Sequence, residues 1–149
     1  MYRQDKRKTL FKLIKNSIGT KLFRNNYFFV DGKSKDLLKN GELSCAFYIS
    51  SILYLLKLIR DIHTTVRGTI KDLEESGWYK IKKPKKGAVI LWDKNKTEHY
   101  HLGFYWSKNK TVSNISSKKS PNFHSLTYKN RKILIIYFHK ELEDEHSRT

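Results

Sequence analysis

Apolar residues in this chain follow a helical period before Trp78 and a strand period after it. Residues 8–18, 44–59 and 65–76 carry apolar side chains at three- and four-residue spacing, which predicts three helices. Beyond Trp78, short apolar runs predict four strands, at 87–92, 99–106, 111–115 and 133–138. Because helices precede antiparallel strands, we predict an α+β fold in which N-terminal helices pack on a C-terminal antiparallel sheet.

Two shorter elements are predicted before the central helix. Residues 26–30 are rich in aromatic and β-branched side chains, which predicts a short strand. The Asp31-Gly32 pair after them predicts a turn. Residues 34–41 have the pattern of a short helix that Gly41 ends. Both elements are expected to precede the central helix without a linker.

One domain spanning residues 1–149 is expected, because the chain contains no repeat and no internal Pro/Gly-rich boundary. A chain of this length buries a sizeable core without disulfides or metal. Within the domain we distinguish a basic helical N-terminal extension, 1–25, and a polar tail, 141–149. A single cysteine excludes an intramolecular disulfide.

The chain carries 31 Lys and Arg residues against 14 Asp and Glu, a formal net charge of +17. Such an excess favours polyanionic partners: nucleic acid, acidic lipid surfaces or anionic wall polymers. The lysines are scattered along the whole length, with one dense cluster at Lys80–Lys86. Two interpretations stay open, namely non-specific polyanion affinity and a dedicated polyanion-binding surface.

No secretory signal, membrane span or cofactor motif is found in the sequence. Lys12 and Lys15 interrupt the N-terminal apolar segment, and Ser50, Ser51 and Lys57 interrupt the longest internal one. A cytoplasmic protein is therefore expected, with export by a non-standard route as the alternative. The sequence has no phosphate-binding glycine loop and no zinc-ligand spacing, so we expect no cofactor and no metal.

Cys45, the only cysteine, lies where the central helix is predicted to begin, directly after Ser44. Ser44 is an acceptable N-cap residue. Unpaired backbone N–H groups at such a helix start favour a thiolate and can receive an oxyanion. These features predict a nucleophile whose thiol pKa is lowered. The alternative is that Cys45 is a small buried hydrophobe beside Leu43 and Ile49.

His101 stands on an otherwise apolar and aromatic strand. Alternation places His101 and Gly103 on the same face of that strand. Because Gly103 lacks a side chain, another element or a substrate has room to approach His101. We predict that His101 is the general base for Cys45. His99 points to the same face and is the alternative base.

The predicted base requires a polar residue that orients its imidazole. Asn114, on the next predicted strand, is the first choice, and Ser113 is the close alternative. A shift of one residue in register exchanges which of the two faces inward, so the pattern alone leaves both open.

Three segments, taken in order, resemble the signatures of NlpC-type and CHAP-type papain-like hydrolases. The segments are Ser44–Ile49, Lys86–Trp92 and His101–Tyr105. In that family they form a nucleophile at a helix start, a Pro-Gly-Asp-like entry to a strand, and a His-hydrophobic-Gly-hydrophobic-Tyr strand. The resemblance covers residues 40–140 and implies a papain-like fold. It also implies Cys45 as nucleophile, His101 as base, and a polar residue near 113–114 as the third member.

The resemblance further implies an activity, because such hydrolases commonly cleave amide bonds in peptidoglycan stem peptides. A thiol amidohydrolase or peptidase acting on a peptide or peptidoglycan substrate is therefore expected. The chain departs from the family pattern at Ser44 and Ala88, where the family usually or often has aspartate. The alternative function is a non-catalytic basic module that binds nucleic acid or another polyanion on the same fold.

Overall fold

A computed structural model describes residues 1–96 and 99–144, which adopt the expected α+β class. The described helices are α1 (Lys6–Ser17), α2 (Cys45–Leu55) and α3 (Val66–Glu75). The described strands are β1 (Tyr27–Val30), β2 (Lys33–Asp36), β3 (Tyr79–Ile81), β4 (Val89–Trp92), β5 (His101–Ser107), β6 (Lys110–Ile115), β7 (Ser120–Ser125) and β8 (Ile133–Phe138). Short 3₁₀ turns cover Tyr128–Asn130 and Lys140–Leu142.

Strands β3 to β8 form one antiparallel sheet in the order β3-β8-β4-β5-β6-β7. Within it β4 pairs with β5, so that Trp92 lies opposite His101. Strand β8 comes last in the chain but inserts between β3 and β4. Strands β1 and β2 form a separate two-stranded hairpin. The functional candidates of the second half of the chain therefore lie on adjacent strands, β4 to β7.

Helix α2 is the central helix, and it packs on β5 and β6 as well as on α1 and α3. Its residues include no charged side chain, as expected of a helix that is covered on several sides. Tyr48 of α2 meets Phe104 of β5 edge to face, with ring centroids 5.7 Å apart. Ile49 and Leu53 are fully buried, and such burial stabilises by about 1.5–3 kcal/mol per side chain. The start of α2 is thus held firmly against the sheet.

Helix α1 lies within the basic N-terminal segment and packs into the core. Leu10 and Ile14 are fully buried on its inner face. The Oδ1 of Asp5 accepts the backbone N–H of Lys8 and caps the helix start. At the other end, Ser17 shares a 2.7 Å hydrogen bond with the Tyr48 hydroxyl of α2.

The predicted helix over residues 34–41 is wrong. The first part of this segment is β2, which pairs with β1, and turns follow it. The carboxylate of Asp36 accepts the backbone N–H groups of Leu38 and Asn40, which competes with helical hydrogen bonding. Lys39 and Asn40 have φ values of 48° and 53°, outside the range of a right-handed helix.

Strands β3 and β7 were not predicted from the sequence. Strand β7 is a serine-rich segment containing Pro121, a composition that disfavours strands. It forms because it lies at the edge of the sheet, where proline is tolerated, and pairs with β6 over six residues. This edge strand brings His124 next to β6.

The C-terminal tail is described as far as Asp144. Leu142 is buried against the core, and residues 145–149 lie outside the described residues. Across residues 1–96 and 99–144, no helix has the length and apolar character needed to cross a membrane.

Candidate functional site

Cys45 is the first residue of α2, as predicted, but Ser44 does not cap the helix with its side chain. The Oγ of Ser44 is buried, and no partner for it is found among the described residues. The N–H groups at this end of α2 are therefore not consumed by a side-chain cap. Some of them remain directed at the space around Cys45.

The Cys45 sulfur lies among backbone N–H groups. Those of Leu102, Ala46 and Cys45 itself point toward it. Burial is nevertheless the larger effect and raises the pKa of the Cys45 thiol, although these N–H groups and the charge of Arg131 act in the opposite direction. The predicted lowering of the thiol pKa is therefore wrong, and Cys45 is a protonated thiol at neutral pH.

Cys45 and His101 line the same cavity, which has a volume of about 870 Å³. Tyr128 and Arg131 also line it, beside the two candidates. In the described part of the chain no hydrogen bond joins the Cys45 sulfur to the His101 ring. The thiol instead lies against the backbone N–H of Leu102, the residue that follows His101. The structure thus brings the predicted nucleophile and base to one cavity as neutral partners.

His101 is held on three sides. Its Nε2 lies 2.7 Å from Ser113 Oγ. The Tyr128 ring stacks on the imidazole with centroids 4.5 Å apart and planes at 26°, and the Trp92 ring lies 5.6 Å away. Burial holds the pKa of His101 well below its ordinary value, and nearby charges lower it further. The imidazole is consequently neutral and can accept a proton, but its low pKa makes it a weaker base than an ordinary histidine.

Ser113, and not Asn114, holds the His101 imidazole. Tyr105 pairs with Thr111, so alternation puts Ser113 on the same face as Gly103 and His101. Asn114 faces the helical layer, where its Nδ2 donates to the backbone carbonyl of Gly41 at 2.8 Å. Asn114 lines the cavity but does not contact His101, and the alternative, Ser113, is the residue that holds the imidazole.

Because Gly103 has no side chain, Ser113 can approach His101 closely. The sequence predicted such room for another element beside His101. A Cβ at this position would lie 2.9 Å from Ser113 Cβ and 2.9 Å from Trp92 Cζ3. The room beside His101 is therefore occupied by Ser113 and Trp92. His99, the alternative base, is exposed and precedes β5, and its backbone carbonyl accepts from Arg131 Nη1.

His124 was missed by the sequence analysis, which found no pattern that linked it to His101. Its Nε2 lies 2.6 Å from Ser113 Oγ, so Ser113 bridges two imidazoles. Thr111 pairs with His124 across β6 and β7, and the two side chains are in contact at 2.8 Å. Only the pairing of the unpredicted strand β7 could have revealed this neighbour.

A contact between His63 and Asp72 lies beside the cavity, and it stabilises the fold. His63 Nε2 and Asp72 Oδ2 are 2.6 Å apart. The Asp72 carboxylate also accepts the backbone N–H groups of Arg60 and Asp61 and the hydroxyl of Ser76. It thereby ties the loop after α2 to α3. Residues 64–66, which follow His63, form part of the cavity wall.

Neither a metal site nor a known relative accounts for this arrangement. Over residues 1–96 and 99–144, no three His, Cys, Asp or Glu side chains gather closely enough to hold a metal ion. No protein-family model matches the chain, and no curated protein matches it.

Proposed function

We propose that this protein is a cysteine hydrolase that cleaves an amide bond, with Cys45 as nucleophile and His101 as general base. The observation that carries the proposal is that a helix-start thiol and a held, neutral imidazole both lie in the wall of one cavity. Ser113 supplies the orienting contact.

In the first half of the reaction, the Cys45 sulfur attacks the carbonyl carbon of the scissile amide. His101 removes the thiol proton as the S–C bond forms, because the thiol is protonated in the resting protein. The oxyanion of the tetrahedral intermediate is received by backbone N–H groups at the start of α2. The C–N bond then breaks, His101 gives its proton to the departing amine, and a thioester remains on Cys45.

In the second half, water hydrolyses the thioester. His101 takes a proton from the water as its oxygen attacks the thioester carbon, and the S–C bond breaks. The products are a carboxylic acid and the regenerated Cys45 thiol, with the imidazole neutral again. The positions of the protons before and after the cycle are the same.

The substrate that we propose is a peptide from the cell wall, in line with the resemblance to peptidoglycan hydrolases. The cavity of about 870 Å³ is within the range of specific ligand sites. Lys39, Lys129 and Arg131 line it, opposed by Glu42. A mainly cationic lining favours a substrate that carries free carboxylates, as peptidoglycan stem peptides do.

We test the proposal first by its pH dependence. Because the pKa of His101 lies well below its ordinary value, the base stays unprotonated until the pH falls through that lower value. The groups facing it are His124, Lys129 and Arg131, all neutral or cationic, and none of them raises the pKa. We expect kcat/KM for a soluble stem peptide to stay level as the pH falls through about 6.5, the ordinary histidine pKa. A half-maximal point near the ordinary histidine pKa of about 6.5 would contradict the assignment of His101.

A second candidate function is polyanion binding by the lysine cluster at residues 80–86. Lys82, Lys83 and Lys85 are exposed, whereas Lys86 packs over the Trp106 ring at 4.2 Å. Three exposed ammonium groups on one short segment can contact phosphates of a nucleic acid backbone, although that of Lys85 also lies 5.1 Å from the Phe138 ring centroid. This function requires no contribution from Cys45, so the two candidates are separable.

The lysine cluster is tested by reversing Lys82, Lys83 and Lys85 to Glu and titrating a short duplex DNA at several salt concentrations. A dedicated surface predicts weaker binding and a salt slope shallower by about two to three. Reversing three lysines elsewhere to Glu, namely Lys21, Lys33 and Lys35, provides the control of equal charge. Equal losses in both variants would show non-specific affinity. Retained peptide hydrolysis in both is expected if the cavity is the catalytic site.

A further inference from the structure

We propose that His124 is a positioning residue which, acting through Ser113, holds His101 in the tautomer that carries its proton on Nε2. The inference rests on the proposed function for its catalytic meaning. Its structural content is independent of that function, because it concerns which nitrogen of each ring carries a proton.

The order of protons begins at the backbone carbonyl of Ser125. His124 Nδ1 lies 2.8 Å from this oxygen, which can only accept a hydrogen bond, so Nδ1 carries a proton. Burial lowers the pKa of His124 to about 4, so the ring is neutral near pH 7 and has one proton only. His124 Nε2 is therefore without a proton and can only accept.

The next link is the hydroxyl of Ser113, which has a single proton. At 2.6 Å from His124 Nε2, Ser113 donates that proton to the histidine. The Ser113 oxygen, 2.7 Å from His101 Nε2, is then left to accept. His101 Nε2 must accordingly carry the proton of the neutral imidazole. His101 Nδ1 is bare, and it is the ring nitrogen left to take the thiol proton from Cys45.

Packing fixes both rings in the positions that this order requires. The Tyr128 ring lies 4.5 Å from the His101 centroid and 4.3 Å from that of His124. Trp92 flanks the same two rings at 5.6 Å and 5.4 Å, and its own Nε1 is occupied by the backbone carbonyl of Leu126. Rotation of either imidazole is therefore opposed by two aromatic walls.

Removing His124 would free the Ser113 proton. Ser113 could then donate to His101 Nε2, which favours the opposite tautomer, with the proton on Nδ1. In that tautomer the nitrogen left for the thiol is occupied, and the base is lost. A glutamine in place of His124 offers a side-chain oxygen to the Ser113 hydroxyl, whereas a leucine of similar size does not.

The test is the imidazole ¹⁵N spectrum of the full protein, in which protonated and bare ring nitrogens have distinct shifts, with His101 and His124 assigned by single substitution. In the unmodified protein we expect His101 protonated on Nε2 and His124 on Nδ1. We expect His124→Leu to move His101 toward the Nδ1-protonated form and His124→Gln to keep it as it is. A second readout is the rate of Cys45 alkylation by iodoacetamide, which should fall by about 100-fold in His124→Leu and recover in His124→Gln.

Asn122→Ala is the matched control, because Asn122 lies on the same strand and face as His124 and, within the described part of the chain, its side chain bonds only to Ser120. It should change neither the spectrum nor the alkylation rate. If the unmodified protein has His101 protonated on Nδ1, the proposed order of protons from Ser125 to His101 is overturned, even if no variant folds. The same follows if His124→Leu folds and leaves the His101 signals in place. If the tautomers are as expected but Cys45→Ala retains hydrolysis, the positioning role of His124 is supported and the proposal that Cys45 is the nucleophile fails.

Discussion

Cys45→Ala is expected to lower the hydrolysis of a soluble stem peptide by at least about 10⁴-fold, because no other group in the cavity can form the thioester. The free energy of unfolding should fall by about 1 kcal/mol, since the substitution removes only the sulfur atom, which is buried although the residue as a whole is partly exposed. Turnover is measured by mass spectrometry of the released products. Unfolding is followed in urea by circular dichroism.

Ser51→Ala is the control for this substitution. Ser51 lies on the same helix, is also partly buried, and has a hydroxyl that makes no hydrogen bond among the described residues. Its removal should leave both turnover and stability within experimental scatter. Retained turnover in Cys45→Ala, with the fold intact, would assign the activity elsewhere and exclude a thiol mechanism.

Asp72→Ala is expected to lower the free energy of unfolding by about 3 kcal/mol at neutral pH, because it removes a buried carboxylate and leaves its hydrogen-bond donors without a partner. The carboxylate is 7 % exposed, and it holds His63, the N–H groups of the loop after α2 and the Ser76 hydroxyl. Without it the loop at 60–65 loses its attachment to α3. Because part of that loop lines the cavity, KM should rise more than kcat falls.

The sign of the pH dependence follows from the Asp72 pKa. Burial opposes ionisation, but the hydrogen bond from His63 and those from the backbone prevail, so the pKa of Asp72 lies below its ordinary value. Its stabilisation is complete above the ordinary carboxyl pKa and is lost as the pH falls through the lower, folded-state value. The difference in stability between the two proteins should therefore shrink as the pH falls below the ordinary Asp pKa of about 3.9.

Asp61→Ala serves as the control for the Asp72 substitution. Asp61 is an exposed carboxylate on the same loop, and its side chain accepts only the N–H of Ile62. A change of about 0.5 kcal/mol or less is expected. An equal loss in both variants would contradict the special role of Asp72.

The sequence predicted those parts of the site that depend on local patterns. The start of α2 at Cys45 follows from an uncharged apolar run after Ser44, and the strand at His101 follows from its alternating and aromatic residues. The space beside His101 followed from the absence of a side chain at Gly103. Each of these features is determined within a few residues of the chain.

The parts that were missed depend on pairing between distant segments. Asn114 and Ser113 are adjacent, and only the register of β6 against β5 determines which one meets His101. His124 reaches the site through β7, an edge strand whose composition gives no strand signal. No local pattern could predict either contact.

The wrong pKa prediction for Cys45 has a related cause. The start of a helix favours a thiolate, but the depth of burial of the sulfur depends on the whole fold, and here desolvation is the larger effect. Under the proposed mechanism, catalysis therefore begins from a neutral thiol and a neutral imidazole. The proposed mechanism therefore depends on which nitrogen of the neutral His101 ring carries the proton. It does not depend on a preformed thiolate–imidazolium ion pair.

The central claim is that Cys45 becomes acylated by a peptide substrate. The most direct measurement is the intact mass of the protein, quenched in acid within the first turnover of a soluble stem peptide, followed by mapping of the modified residue. We predict a mass increase equal to the acyl fragment, mapped to Cys45 as a thioester and absent from Cys45→Ala. Hydrolysis that proceeds without any adduct on Cys45, or an adduct of the same yield in Cys45→Ala, would contradict the account.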